Sequence, residues 1–341
     1  MPNIYIASNK PRVGKTSVAI SIATKLMESN KETVLVKPVS MGESPSIDDM
    51  DGVILREVNA NAIVNSSDWP LLTSSNPKEN VTLIDQGIKI INDIDSSVFT
   101  VVEGLSGLNG DIGNTSKIIA DKLNARVVVV LGYDELEIVS ACIDAQSSFG
   151  DRLVGVIING VTRYKVRETK QLIISKIESE GIKVLAVIPE HRKLLGTTVN
   201  ELAEHLSGEI ISWKEKGDNF IDNYLIGGNV LDWGVLYFER YLNKAVIVRG
   251  DRPDIQMAAL QTETSCLVLT GGHDPIEYVA YEAREEEVPI IKVATDTFST
   301  TMALESLQGK SLFGHPVKKK IFADLMDQNA DTNMFDSLLF F

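Results

Sequence analysis

Near the N-terminus, Gly14-Lys15-Thr16 closes a polar loop that opens at Ser8. Apolar residues lead into it (Ile4, Tyr5, Ile6), and an apolar periodic run follows it (Val18, Ala19, Ile22, Ala23, Leu26). Strand, loop and helix in that order make a cradle for phosphate, because loop and helix-start N–H groups can point at anionic oxygens. In such a cradle Lys15 reaches the terminal phosphates of a nucleotide, and the Thr16 hydroxyl ligates Mg2+. Val13 and Ser17 flank these residues and belong to the same binding stretch. The usual pattern is G-x-x-x-x-G-K-[ST], and Asn9 stands where its first glycine would be. After glycine, Asn best tolerates left-handed backbone, so Asn9 is expected to turn the chain there.

Other residues fall at the ends of apolar runs. Lys37 follows the run at 33–36 and would be an ordinary surface lysine at a strand end or, beside the phosphate loop, neutralise charge spread over transferring phosphate oxygens. Glu103 ends the run at 98–102 and would simply terminate that strand or bind Mg2+ directly or through water. Asn159 follows the run at 153–158 and would either hydrogen-bond a nucleobase edge or form a plain Asn-Gly turn. Asp51, with Asp48 and Asp49 beside it, would be a further carboxylate ligand or part of a solvated acidic loop.

The elements that must position these residues alternate. Strands are expected at 3–7, 33–39, 98–102, 126–131, 153–158 and 183–188, and helices at 15–29, 81–93, 114–123, 136–148 and 165–180. The segment 41–76 reads as irregular, with a short helix at 51–57. Apolar strands between amphipathic helices imply an α/β fold with a parallel sheet covered on both faces. Ligands of such sheets bind beyond the carboxyl ends of the strands, where the loop, Lys37, Glu103 and Asn159 all fall. A second α/β pattern follows a helix at 198–206 and a polar linker at 212–219. Its strands are expected at 224–226, 245–249, 266–269 and 290–293, and its helices at 232–241, 254–262, 276–285 and 299–306. The domains are therefore 1–211 and 220–325. The basic run Lys318-Lys319-Lys320 opens a terminal helix with a solvated face, and 326–341 is a tail, frayed or docked on a partner.

Composition narrows the classes. The chain has 341 residues, 44% hydrophobic and 23% charged, with a net charge of −14. That balance argues against nucleic acid as a bulk partner. No apolar run reaches the roughly 18–20 residues of a membrane span, and, with a strand expected from residue 3, no signal peptide is expected. Cys142 and Cys266 lie far apart in apolar surroundings and are expected buried and reduced. His191, His205, His273 and His315 show no metal-ligand spacing. A cytoplasmic protein is expected.

Across the first ~205 residues the motifs resemble dethiobiotin synthetase and its P-loop relatives, including the synthetase domains of cobyrinic acid amidating enzymes. The shared stretches are Val13-Gly14-Lys15-Thr16, Lys37-Pro38-Val39, Val101-Val102-Glu103-Gly104, Val156-Ile157-Ile158-Asn159 and Val187-Ile188-Pro189. The resemblance implies ATP and Mg2+ as cofactors, with Thr16, Asp51 and Glu103 on the metal and Asn159 facing the base. It implies that Lys15 and Lys37 act on phosphates and on a carboxylate or carbamate substrate. Lys10 matches the signature lysine of the deviant Walker A loop, which reaches a partner's nucleotide across a homodimer. One stretch departs: dethiobiotin synthetase has Gly-Ala-Gly-Gly after its glutamate, and this chain has Gly104-Leu105-Ser106-Gly107. The bulk of Leu105 is expected to alter the substrate floor.

The second half resembles the DRTGG domain through Gly250-Asp251-Arg252-Pro253-Asp254-Ile255, Leu269-Thr270-Gly271-Gly272 and Asp296-Thr297. Together the halves resemble the N-terminal region of long phosphate acetyltransferases. The DRTGG part is expected to be regulatory and dimer-forming, with Asp251, Arg252, Gly271, Gly272 and Asp296 facing a small-molecule effector. Gly271-Gly272 would bind an anion through backbone N–H groups or serve only as a tight turn. Asp251 and Arg252 would meet a ligand, each other, or a partner chain. Three functions stay open: ATP-dependent activation of a carboxylate substrate, nucleotide sensing without turnover, and a scaffold that has lost its nucleotide.

Overall fold

A computed structural model describes residues 3–41, 70–72, 74, 76–228, 231–307, 313–331 and 338. The chain divides into two compact units, Met1–His191 with Lys318–Phe341, and Arg192–Val317.

In the first unit, strands form where β-branched and aliphatic residues run unbroken. They are β1 (Asn3–Ser8), β2 (Thr33–Val36), the two-residue parallel pair β3 (Ser40–Met41) and β4 (Leu71–Leu72), β5 (Phe99–Ser106), β6 (Arg126–Gly132), β7 (Leu153–Val161) and β8 (Val184–Pro189). Six of them make one sheet in the order β2-β5-β1-β6-β7-β8, with every neighbouring pair parallel. Parallel neighbours need crossover connections, and the helices Lys15–Glu28, Val81–Asn92, Gly110–Lys122 and Ile138–Phe149 contribute to them. β6 shows why such strands read as solid apolar runs: Val127, Val129 and Leu131 join one core, while Val128 and Val130 are buried apart from it. Because all six strands run the same way, the loops after their carboxyl ends share one edge. The short helix expected at 51–57 lies outside the described residues.

The helix Pro316–Asn329 completes this unit. Lys25, in the last turn of Lys15–Glu28, donates to both carboxylate oxygens of Asp327 at 2.9 Å. The Asp331 N–H donates to Leu185 O at 2.7 Å, beside β8. This corrects two expectations. The start of the expected tail, up to Asp331, is neither frayed nor reserved for a partner. Nor does the basic run lie on a wholly solvated face: Lys318 shares an i, i+4, i+8 stripe with Phe322 and Met326, and all three are buried.

The second unit begins with β9 (Thr197–Thr198), whose Thr198 hydroxyl caps the helix Val199–His205 in a reciprocal box with Glu201. β10 (Glu209–Ser212), β11 (Phe220–Ile221), β12 (Asn223–Ile226), β13 (Lys244–Arg249), β14 (Cys266–Thr270) and β15 (Ile290–Lys292) follow. The sheet order is β10-β15-β14-β13-β12, parallel except for the antiparallel edge strand β10, and β11 pairs with β9. The helices Leu231–Phe238, Pro253–Leu260, Glu277–Glu285 and Thr297–Leu307 pack around it. The stretch 212–219, read as a linker, holds the end of β10 and a tight turn at Lys214–Lys216 inside this unit.

Both cysteines are buried and free. Burial pushes the Cys142 thiol up to about 12 and raises that of Cys266. Among the described residues, no helix is long and apolar enough to cross a membrane.

Candidate functional site

The loop after β1 takes its shape from two left-handed residues, Arg12 (φ 59°) and Gly14 (φ 88°). Gly14 caps the helix Lys15–Glu28, whose first turn carries no acidic residue and no side-chain cap. The first N–H groups of a helix have no intrahelical acceptor, so this bare end faces the loop as a donor cluster with the positive pole of the helix behind it. A Cβ on Gly14 would lie 2.3 Å from the Asn159 amide nitrogen. Asn9 does not supply the left-handed turn expected of it. Its φ is not positive, and it works through its side chain instead: Oδ1 accepts from the Gly132 N–H at 3.3 Å. That bond ties the loop to the end of β6. Asn159, at the end of β7, donates from Nδ2 to Val13 O at 2.8 Å and braces the loop from the same side.

Below the loop, the Thr16 hydroxyl donates to Glu103 Oε1 at 2.9 Å, and Lys15 Nζ lies 3.9 Å from the same oxygen. The Glu103 side chain is only 2% exposed. β5 does not stop at Glu103 as the sequence suggests. It continues to Ser106 through a bulge: Ile6 of β1 faces Glu103, but Ser8 faces Ser106, so β5 holds one extra residue. Bulges in parallel pairs are rare and recur beside active sites. Three residues hold this one. Gly104 leaves room for the Tyr5 ring, which a Cβ would meet at 2.2 Å. The Tyr5 hydroxyl accepts from the Leu105 N–H at 3.2 Å and bonds Ser116 Oγ at 2.8 Å. Burial raises the Tyr5 hydroxyl to about 12, so it stays protonated.

The bulge corrects the expectation for Leu105. An extra residue reverses the in-out alternation of a strand. Val102 and Leu105 therefore enter the same core, and Leu105, 4% exposed, forms no substrate floor. Fully burying a leucine is worth about 2–3 kcal/mol, which favours the bulged register. Ser106 takes the position facing the loop. Its Oγ accepts from Lys15 Nζ at 3.0 Å and from Ser8 Oγ at 3.1 Å. Neither serine stands out in sequence, because recognising them requires the parity of β5.

Lys37 follows β2, and the β2–β5 register puts Val36 opposite Val102. Lys37 and Glu103 thus occupy successive positions along the same edge, with Lys37 half-buried. Lys10 is exposed on the loop, with Ser17 buried behind it in the first helical turn. Asp51 lies outside the described residues. Thr16 and Glu103 offer hard oxygen donors of the kind Mg2+ prefers, and Mg2+ keeps several waters and substrate oxygens besides. Among the described residues, no group of three or more His, Cys, Asp or Glu gathers for a metal.

The second unit carries its motif residues at the matching edge. Asp251 and Arg252 do not pair with each other. Arg249 Nε donates to Asp251 at 2.9 Å, and Arg252 donates to Asp254 through Nε at 2.9 Å and Nη2 at 2.7 Å. These pairings hold both carboxylates below their ordinary range. Gly271 (φ 87°) and Gly272 (φ 72°) form the tight turn. Their N–H groups already donate to Thr295 O at 2.8 Å and Val293 O at 2.9 Å, so neither is open to an anion. Asp296 caps the helix Thr297–Leu307 by accepting from the Ser299 N–H at 2.7 Å, which also lowers its pKa. Gln256, fully buried, donates to the carbonyls of Arg249 and Gly250 at 2.9 and 3.1 Å and pins the turn after β13.

Residues 2–198 match the family model of an AAA domain, and residues 201–307 match that of a DRTGG domain. The chain is 24% identical to a phosphate acetyltransferase of Nitratidesulfovibrio vulgaris, over 99% of this chain and 51% of that protein. It is 25% identical to a phosphate acetyltransferase of Haemophilus influenzae, over 86% of this chain and 47% of that protein. The chain thus spans about half the length of these curated relatives. Among solved structures, the MinC:MinD cell division protein complex of Aquifex aeolicus aligns at 22% identity and a TM-score of 0.35, covering 57% of this chain and 83% of that one. The CBS and DRTGG domains of Clostridium perfringens pyrophosphatase, complexed with diadenosine tetraphosphate, align at 17% and 0.28, covering 47% and 75%.

Proposed function

The chain belongs to the AAA domain family and carries a DRTGG domain behind that module, and from this premise we propose that it binds ATP with Mg2+ at the loop between β1 and the helix Lys15–Glu28. One observation carries the reading: Lys15, Thr16 and buried Glu103 meet beneath a helix whose own first turn carries no acidic residue. Thr16 and Glu103 would hold Mg2+ once their mutual bond opens, and the ion would neutralise charge between the outer phosphates. Lys15 would take a terminal phosphate oxygen, and Lys37, on the same edge, would meet the acceptor. Such a site favours transfer of the outer phosphoryl group to a carboxylate-type acceptor, with positioning and charge neutralisation supplying most of the rate. The DRTGG unit would regulate that step.

A second reading is occupancy sensing without turnover. Its support is that the relatives are phosphate acetyltransferases of which this chain spans about half, so the nucleotide would report to acetyl-phosphate chemistry carried out elsewhere. Calorimetry with ATP and Mg2+ tests the shared core. Heat is expected from the native chain, with at least ~100-fold weaker binding in Lys15→Ala, because that variant lacks a charge-assisted hydrogen bond in a largely desolvated site. Absence of heat from the native chain would remove both readings. ADP release then separates them, since turnover above the Lys15→Ala background supports transfer and a flat trace supports sensing.

A further inference from the structure

The bulge in β5 does more than bury Leu105. It places a hydroxyl against the loop lysine. Strict alternation after Glu103 would set Leu105 on the loop side and turn Ser106 toward the core. With one extra residue, Glu103 and Ser106 face the same way, and both meet the first residues of the helix Lys15–Glu28. The Ser8 hydroxyl, at the end of β1, lies 3.1 Å from both Ser106 Oγ and Lys10 O, and its single proton serves one of them at a time. A short polar chain therefore runs from the loop backbone through two hydroxyls to the Lys15 ammonium. Lys15 is only 12% exposed, so its charge depends on these partners more than on water.

Resting on the nucleotide-binding reading, we propose that Ser106 is a positioning residue for Lys15: it holds the ammonium through a hydrogen bond with which a terminal phosphate must compete. The device has three parts. Tyr5 and Gly104 fix the bulge, the bulge fixes Ser106, and Ser106 with Ser8 fixes the ammonium. Its consequence is a cost borne only by ligands that carry outer phosphates. A ligand with a β- or γ-phosphate replaces the serine with a stronger, anionic acceptor. A nucleoside monophosphate, ending short of the lysine, gains nothing from displacing it. Docking thus lowers affinity for ATP and ADP and leaves AMP untouched, which moves the response to higher ATP concentration and narrows the margin over AMP.

The test is a calorimetric titration of native protein, Ser106→Ala, Ser106→Thr and Tyr5→Phe with ATP–Mg2+, ADP–Mg2+ and AMP. Freeing the lysine from its bond to one neutral hydroxyl, which the phosphate replaces, is expected to tighten ATP and ADP about five-fold in Ser106→Ala. AMP should not change, and Ser106→Thr, which keeps the hydroxyl, should match the native protein. Tyr5→Phe loosens the bulge and should move ATP affinity in the same direction by a smaller factor. A purely structural role for Ser106 would shift all three ligands together, and that result overturns the proposal. Unchanged or weaker ATP binding in Ser106→Ala, with normal folding shown by its melting curve, overturns it as well. If the native chain binds neither ATP nor ADP, the nucleotide-binding reading has failed and the proposal goes with it.

Discussion

Both units are parallel sheets with helices, and both gather motif residues at the carboxyl ends of their strands, yet the two edges are built on opposite principles. At the first edge the bonds are long-range: Thr16 to Glu103, Lys15 to Ser106, Asn159 to Val13. At the second the carboxylates of the motif are held locally, Arg249 to Asp251, Arg252 to Asp254 and Asp296 to Ser299, although its backbone turn is tied to distant carbonyls. The helix ends differ in the same sense. Lys15–Glu28 begins with no acid in its first turn, whereas Pro253–Leu260 begins with Asp254 and Thr297–Leu307 is capped by Asp296. A helix N-terminus attracts an anion whether the anion is a ligand or a side chain. Where the chain provides its own, the attraction holds a loop in place. Where a helix carries none in its first turn, its end keeps that attraction for another group. The same fold edge thus has a bare helix end in one unit and a set of pinned turns in the other.

Two glycines give the largest expected contrast. Gly14 and Gly271 have nearly equal left-handed backbones, φ 88° and 87°. Alanine at either position carries the left-handed penalty of about 1–2 kcal/mol. At Gly271 the added Cβ would meet only the His273 ring edge at 3.4 Å, an ordinary contact. At Gly14 it would strike the Asn159 amide at 2.3 Å, so the bond from Asn159 to Val13 O must also break. Urea unfolding should show Gly14→Ala losing about 1 kcal/mol more than Gly271→Ala, the cost of one hydrogen bond and its displaced partner. Equal losses would mean that the first edge is no more tightly interlocked than the second.

The same contrast governs what the sequence reveals. The phosphate loop is legible because strand, loop and helix are contiguous, and Glu103 is legible as the end of an apolar run. The alternation of apolar strands and helices likewise foretells both sheets. Ser106 is hidden because one inserted residue reverses every side chain after it, and nothing in Gly104-Leu105-Ser106 announces the insertion. Its nearest signal is Tyr5, a large polar-tipped residue in a strand otherwise fit for small packing, which needs a partner for its hydroxyl. Asn9 reads as a backbone turn, although its amide is the working part. At the second edge the motif residues are legible but their pairing is not, because adjacency in sequence is not adjacency in space. Lys318 reads as solvated from its charge, although its spacing from Phe322 and Met326 puts it on the apolar stripe.

A second, smaller effect separates the units by pH. The least comfortable charge of the second unit lies away from its motif edge: Lys244 opens β13, is fully buried, and donates to the carbonyls of Tyr241, at 3.2 Å, and Glu263. Burial pushes its pKa down to about 8 from 10.5, with Glu263 and Glu239 opposing the shift. A lysine with a depressed folded value binds fewer protons folded than unfolded between those limits. Stability of the native protein should therefore rise relative to Lys244→Met as pH goes from about 8 to 10.5, and the two should run parallel below 8. Two of the three tryptophans, Trp213 and Trp233, lie in this unit and Trp69 in the first, so denaturant midpoints followed by tryptophan fluorescence, with Trp69→Phe in both proteins, report on it. A constant gap across the window would show that the ammonium is solvated after all. Loss of the Tyr224 and Cys266 protons at higher pH affects both proteins alike and cancels in the difference.

The smallest effect is expected where the second edge looks most like a binding motif. Arg252 and Asp254 form a two-point pair, but both are about a third exposed, and water screens what they gain from each other. Removing the arginine leaves Asp254 in the first turn of Pro253–Leu260, still favoured by the helix end. Removing the aspartate instead leaves the helix start without its acid and the guanidinium beside a positive pole. Arg252→Ala should therefore lower the melting temperature less than Asp254→Ala, and both less than Gly14→Ala. Added salt should shrink the two small losses toward each other while leaving the glycine effect in place. If Arg252→Ala proved the most damaging of the three, the pair would be more than a loop fastener, and the second edge would have to be counted as a site in its own right.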